Sequence, residues 1–408
     1  MKTHIRRFRS LILLGWCLGC VIPADAKPLK VFILAGQSNM QGHARVETFD
    51  YIGDDPATAP LLRAMRREDG KPRVLDRVWI SSIGCLGDAY SDLTEKTGLL
   101  TAGFGAPENK IGPEFTFGIF IEKLLGEPIL LIKTAWGGRS LHTDFRPPSA
   151  GKYEPTAQEA KRWADKPERR AETEAATGVF YREMVAHVKK VLADPKRVCP
   201  VYDPQQGYEL AGFIWLQGFN DLVSSDTYPP KPGEKVRDYS KYAVWLADLV
   251  RDVRKDLEAP QMPFVIGVLG VSGMKADEHT KAFRRAMAAP ASMPEFQGNV
   301  VAVETAPFWS EELGAIDEKH EEVRQMRYYL DSKHKKYANA DGKMTDDEKR
   351  AFIKRYEAEI ISPAEAALWK RGASNGGYHY LGCAKTFALM GKAFAEANYA
   401  IMPEAQRK

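Results

Sequence analysis

The chain has 408 residues, 44% hydrophobic and 27% charged, with a formal net charge of +4. That suits a globular protein of one large or two modest domains, with burial enough that neither metal nor disulfide is needed to hold it. Four basic residues and one acidic fall within the first 26, so the remainder drops from +4 to about +1, which excludes an electrostatic case for nucleic-acid binding.

Residues 1–26 read as an export signal. Lys2, Arg6, Arg7 and Arg9 make a basic start, and residues 11–22 are apolar. That run is too short to span a bilayer, which takes about 20 residues. Ala24-Asp25-Ala26 fits a small-x-small cleavage site, so the exported chain is expected to begin at Lys27 and to be secreted or periplasmic. A lipoprotein signal on Leu18-Gly19-Cys20 is the rival, with Cys17 badly placed at its first position. Beyond this segment stand Cys85, Cys199 and Cys383, an odd and sparse set that implies no disulfide framework, and no Cys/His cluster has zinc spacing.

The first strand, residues 30–34, runs straight into Gly36-Gln37-Ser38-Asn39. A strand end is where an open α/β sheet places its chemistry. Ser38 there either caps the next helix or projects its Oγ as a nucleophile. Met40 stands where the α/β-hydrolase elbow has its second glycine, so this is not that elbow. Further strands are expected at 78–81, 129–133, 212–216, 264–269 and 300–303, several of them continuous apolar runs suited to burial on both faces. Helical patterns lie at 113–125, 181–192, 239–257, 281–287 and 384–397. The alternation argues for an α/β fold, a doubly wound parallel sheet in three layers. Residues 27–408 read as one domain with two charged insertions, at about 147–178 and 311–365.

Polar residues gather after these strands. Trp136-Gly137-Gly138-Arg139-Ser140 follows the strand at 129–133, where Gly138 allows close approach of its N–H to an oxyanion and Gly137 fills the role if the register slips by one. His142, Asp144 and Arg146 come next and can bind hydroxyls. Gln217-Gly218-Phe219-Asn220-Asp221 follows the strand at 212–216, with Gln217 and Asn220 as alternative side-chain donors. His379, in a glycine-rich loop before the last helix, is the candidate base; His43 is its alternative. Trp136, Trp215, Tyr378 and Tyr380 can stack on sugar rings or pack a core. In the 339–348 loop Asn339, Asp341 and Glu348 fall at calcium-ligand positions, but Tyr337 occupies the first. A capping box of Thr345 and Glu348 is the favoured reading, and no metal site is expected.

Gly36-Gln37-Ser38-Asn39-Met40, Gly112-Pro113-Glu114, the block from Trp136 to Ser140, Trp215-Leu216-Gln217-Gly218 and the late His379 together resemble the SGNH hydrolases. The nearest branch is the sialate O-acetylesterase-like group, which includes family 6 carbohydrate esterases. The resemblance implies a flavodoxin-like fold and a serine esterase without a cofactor. Ser38 would be the nucleophile, His379 the base, and Ser38 N–H, Gly138 and Gln217 or Asn220 the oxyanion hole. Trp136, Arg139 and Tyr378 would contact an acetylated carbohydrate. No nucleic acid, and no membrane after signal cleavage, is implied as a partner. Two family carboxylates are replaced: the Asp three residues before the histidine is Gly376, and the Glu after Gln-Gly is Phe219. Asp221 remains, and is expected to orient His379 unless a backbone carbonyl does so. The expectation is an enzyme removing O-acetyl groups from sialic acid, xylan or another sugar. The alternative is a catalytically degenerate carbohydrate-binding protein on the same fold.

Overall fold

The computed structural model describes residues 27–85, 93–107 and 109–407; the expected signal segment lies outside them. Seven strands form the main sheet: β1 (Leu29–Gly36), β2 (Val78–Ile83), β3 (Lys96–Leu99), β4 (Ile129–Ala135), β5 (Tyr208–Leu216), β6 (Phe264–Val268) and β7 (Val300–Glu304). Their order is β3-β2-β4-β1-β5-β6-β7, all parallel except β3, which runs antiparallel to β2 at the edge. β1, β2 and β4 are buried along their whole length, as continuous apolar runs require of strands covered on both faces.

The helices that matter here are α1 (Ser38–Gln41), α2 (Glu114–Leu125), α3 (Val179–Ala193), α4 (Phe219–Val223), α5 (Ser240–Asp256), α6 (Glu278–Ala288), α7 (Glu311–Asp331), α8 (Asp346–Ile360), α9 (Pro363–Gly372) and α10 (Ala384–Ile401). Helices α2 and α10 pack together over one face of the sheet. Phe32 on β1 meets Phe117 on α2 edge to face at 5.4 Å, and Asn398 on α10 donates to Ala211 O on β5 at 3.0 Å. On the opposite face Ser81 of β2 meets His187 of α3 at 2.9 Å, and α5 and α6 continue that layer. The result is the expected α/β three-layer architecture.

The six expected strands are all present, five of them extended by one to four residues at an end and the one expected at 264–269 ending a residue earlier, at Val268. The edge strand β3 was not foreseen: Lys-Thr-Gly-Leu has little β-branching and only alternate partial burial. Between 147 and 178 the chain forms two short exposed helices, Ala157–Arg162 and Pro167–Ala176. Helices α7 and α8 pack as a hairpin around Val323, Leu330 and Ile353. Thr345 and Glu348 make the expected reciprocal capping box at the start of α8.

Chain order reverses around β1. The chain visits β2 and β4 on one side of it, then β5, β6 and β7 on the other. The carboxyl ends of β4, β1 and β5 therefore bound the crevice where such a sheet binds its ligands.

Candidate active site

β1 ends at Gly36, where a side chain cannot fit: a Cβ there would lie 2.1 Å from Leu216 O on β5. This close approach lets Gln37 N–H donate to the same carbonyl at 3.2 Å. Ser38 then opens α1 at the crevice, 7% exposed. Its hydroxyl makes no hydrogen bond to a described residue. Gly137, after β4, comes so near that its Cβ would sit 3.8 Å from Ser38 Cβ and 3.0 Å from Gln41 Oε1.

Gln37 ties the serine turn to the turn after β5. Its Oε1 accepts from Gly218 N–H at 3.0 Å, Gln217 Nε2 at 3.2 Å and Asn220 N–H at 3.4 Å. A backbone N–H cannot be reversed, so this fixes the amide: Nε2 must point the other way, and it donates to Asn220 Oδ1 at 2.9 Å. Asn220 Nδ2 in turn donates to Gly138 O at 3.0 Å, with its second hydrogen uncommitted. The Ser38 and Gly138 N–H groups also reach no described acceptor. Three donors thus stand at the crevice rim, matching the needs of a tetrahedral oxyanion.

Gln217 does not belong with them. It is 1% exposed, and its Nε2 donates to Gln37 Oε1, to Arg139 O at 3.0 Å and to Asp221 Oδ2 at 2.6 Å. Its Oε1 accepts from Tyr242 Oη at 3.0 Å. The amide is spent on joining layers beneath the site and is not available to an oxyanion, which leaves Asn220 as the side-chain donor at the rim.

Asp221 also leaves its expected place. It is fully buried, with Oδ2 accepting from Leu141 N–H at 2.8 Å and Gln217 Nε2, and Oδ1 accepting from His142 N–H at 3.2 Å and Tyr228 Oη at 2.6 Å. Those four donors consume its acceptor capacity in anchoring the loop after β4. It does not orient His379.

Asn375 does. The chain 377–382 before α10 forms a tight loop in which Tyr380 and Leu381 take positive φ of 50° and 63°. His379 Nδ1 lies 3.1 Å from Asn375 Oδ1. Gly376 N–H donates to that same oxygen at 2.8 Å, so the oxygen is an acceptor by necessity and Nδ1 must carry the proton. Nε2 is left with its lone pair, the tautomer a general base needs. The loop is fastened to α1 by Asn39 Nδ2, which donates to Tyr378 O at 3.1 Å.

His43 is stacked on His379, ring centroids 3.8 Å apart and planes within 3°. Its Nε2 is buried and makes no hydrogen bond to a described residue. Burial chiefly, with Lys110 nearby, pushes the His379 imidazole down to about 4. Burial, His379 and Lys110 push His43 down to about 3. Both rings are therefore neutral at pH 7, the state a general base requires.

The expected sugar contacts divide. Trp136, 1% exposed, packs on Phe145 and Phe180 and is a core residue. Trp215 and Tyr380 are fully buried as well. Arg139 pairs with Asp144 at 3.2 Å and lies over the Phe180 ring. Arg146 holds the carbonyls of Ala150 and Gly151. Tyr378 alone of these aromatics is open, at 51% exposure.

Beneath α1 lies a charged pair that the sequence reading left without a role. Lys133 and Glu114 are wholly buried and 2.9 Å apart. Lys133 Nζ also donates to Gln41 O and Phe104 O, both at 2.7 Å, and Glu114 Oε1 accepts from Gly112 N–H at 2.9 Å. Gly112-Pro113-Glu114 thus supports the serine turn from below.

Among solved structures, a protein from Arabidopsis thaliana is similar at 18% identity, with a TM-score of 0.37, over 68% of this chain and 86% of that one. A carbohydrate acetylesterase from Xanthomonas citri is similar at 13% identity, with a TM-score of 0.38, over 67% of this chain and 49% of that one. No curated protein sequence matches. The profile of the carbohydrate esterases described as sialic acid-specific acetylesterases matches residues 28–312. The chain belongs to that family of carbohydrate esterases.

Proposed function

We propose that this protein is a secreted or periplasmic serine esterase that removes O-acetyl groups from carbohydrate, with Ser38, His379 and Asn375 as its reacting set. The observation that carries the reading is the tautomer fixed by Gly376 N–H and Asn375 Oδ1, which leaves His379 Nε2 as an unprotonated base. Ser38 Oγ attacks the acetyl carbonyl while its proton passes to Nε2. The carbonyl π electrons move onto oxygen, where Ser38 N–H, Gly138 N–H and Asn220 Nδ2 stabilise the charge. The imidazolium then protonates the sugar oxygen as the C–O bond breaks, leaving acetyl-Ser38. Water, activated by the same Nε2, releases acetate and restores the serine. Removing one oxyanion donor costs about 3–4 kcal/mol of transition-state stabilisation in such sites.

Asn375 supplies position and tautomer without a charge, an arrangement also found in Cys-His-Asn sites. That is the answer this reading gives to the absent carboxylate, on which a purely binding role would rest. Ser38→Ala should abolish turnover of p-nitrophenyl acetate while circular dichroism stays that of the parent. Retained turnover in a folded Ser38→Ala protein would overturn the mechanism. Export rests on the basic start, short apolar run and Ala24-Asp25-Ala26. Sequencing of the exported protein should begin at Lys27, and a lipid on Cys20 would refute the cleavage site.

A further inference from the structure

A cavity of about 690 Å³ opens beside the His379 loop, between the loop after β6, the first turns of α7 and residues 376–378. It lies next to the proposed acyl site. Phe219, the neighbour of Asn220, and Tyr378, the neighbour of His379, both line it. Their rings meet at 6.1 Å and 46°. The Tyr378 backbone is pinned to α1 through Asn39, so this aromatic surface holds a fixed place relative to Ser38. Trp309 lines the cavity farther in. A Cβ on Gly273 or Gly314 would come within 2.7 Å of its indole, so backbone closes around the ring.

The polar lining is acidic. Asp317, Glu318, Glu311 and Glu321 stand against two cations, Lys275 and Arg324. Lys275 is paired with Glu311 at 3.4 Å, and Arg324 with Asp317 at 3.5 Å and Glu321 at 2.7 Å. Neither cation is left over for an anionic ligand, and the lining carries two carboxylates in excess. Asp317 Oδ1 is buried, facing the Arg324 guanidinium at 3.5 Å. An open tyrosine face, a half-buried indole and carboxylate acceptors suit a polyhydroxylated ring without charge. A sugar carboxylate placed here would meet like charge, a repulsion strongest at low salt because Glu311 and Glu321 are largely exposed.

We propose that this cavity is a subsite for the uncharged sugar residues that continue the acetylated chain, and that it selects against sugars bearing a carboxylate. The proposal rests on the esterase reading but adds a wall, built by α7, that the serine site does not need for its chemistry.

The test compares an acetylated xylo-oligosaccharide, an O-acetylated sialic acid and p-nitrophenyl acetate. The wild type should turn over the neutral oligosaccharide with a kcat/KM at least about tenfold above that of the acidic sugar. Tyr378→Ala should lower the ratio of kcat/KM for the oligosaccharide to that for p-nitrophenyl acetate by about tenfold, the loss of one stacking surface. Glu318→Lys should narrow the gap between neutral and acidic sugars, more so at low salt. Equal or better turnover of the acidic sugar, or ratios unmoved by both substitutions, would overturn the proposal. If no ester is hydrolysed at all, the esterase reading fails and binding decides the cavity separately. Calorimetry on Ser38→Ala protein should then show the oligosaccharide bound and the affinity lost on adding Tyr378→Ala; no binding would sink the subsite.

Discussion

Asn375 takes the place beside His379 that residue chemistry suggests for Asp221. A carboxylate two turns of logic away from a histidine is the natural partner to expect, because its charge stabilises the imidazolium formed during attack. Here the carboxylate is taken by four donors under the loop after β4, and a neutral amide holds the ring. Asn375→Ala should therefore lower kcat by between about 10² and 10⁴, the upper figure being the loss when the third member of a protease triad is altered. Asn375→Asp keeps the oxygen and adds charge, which favours the protonated ring. With His379 now held to about 4, the acid limb of kcat/KM should lie well below pH 6 in the parent and move upward in Asn375→Asp. A parent limb at or above pH 6.5, or no movement in the variant, would contradict the assignment. Ser38 and His379 stand out as candidates because a strand end and a glycine-rich loop announce themselves in sequence. Asn375 was not, since nothing local shows that Gly376 N–H will fix the direction of its amide. The choice between Gln217 and Asn220 was also closed to sequence: both follow β5, and only the packing of Tyr242 and Asp221 shows that Gln217 points inward.

The element that matters most to the site is β4, which carries Lys133 after four apolar residues of a wholly buried strand. A lysine there is costly to bury, so its presence signals a buried counter-ion, yet the partner 19 residues upstream could not be named from pattern alone. Periodicity reveals which strands are buried on both faces; it does not reveal which polar side chains meet across layers. Lys133 joins β4 to α2 through Glu114 and to α1 through Gln41 O. Lys133→Met would leave the Glu114 carboxylate buried with one backbone donor, and two carbonyls with none from the ammonium. Breaking such a pair typically costs about 3–5 kcal/mol. Chemical denaturation of Lys133→Met should show a loss of that size, with kcat reduced because the serine turn loses its support. A loss below about 1 kcal/mol would mean that the pair adds little to the fold. The edge strand β3 shows the opposite limit of legibility. It is held by pairing with β2, a long-range fact that its four residues do not encode.

Across the whole molecule, buried imidazoles tie the fold to pH. Burial holds His187 to about 4, opposed by the neighbouring Glu95, as it holds His379 to about 4 and His43 to about 3. In the unfolded chain all three titrate near 6.5. Between pH 6.5 and about 4 the unfolded state therefore binds protons that the folded state refuses, and stability falls as pH falls through that window. Each histidine contributes a slope of up to about 1.4 kcal/mol per pH unit inside it. Carboxylates add to the loss at lower pH. Glu95, although burial works against it, is held to about 2 by Arg197, Ser81 and Lys190, and Glu365 to about 2 by Lys319 and Ser362. Their stabilisation, present above the ordinary carboxylate value, disappears as pH drops through the folded values. The Tm should accordingly rise steeply from pH 4.5 to 6.5 and level off above. His187 separates this effect from catalysis, because it lies on α3 against Ser81 of β2, away from the serine crevice. His187→Gln keeps a polar amide of similar reach and removes one titrating group. The slope of Tm against pH should fall to about two-thirds of the parent's, one of three proton-linked groups having gone. An unchanged slope would show that His187 takes up its proton in the folded state, and that burial on α3 does not exclude the charge.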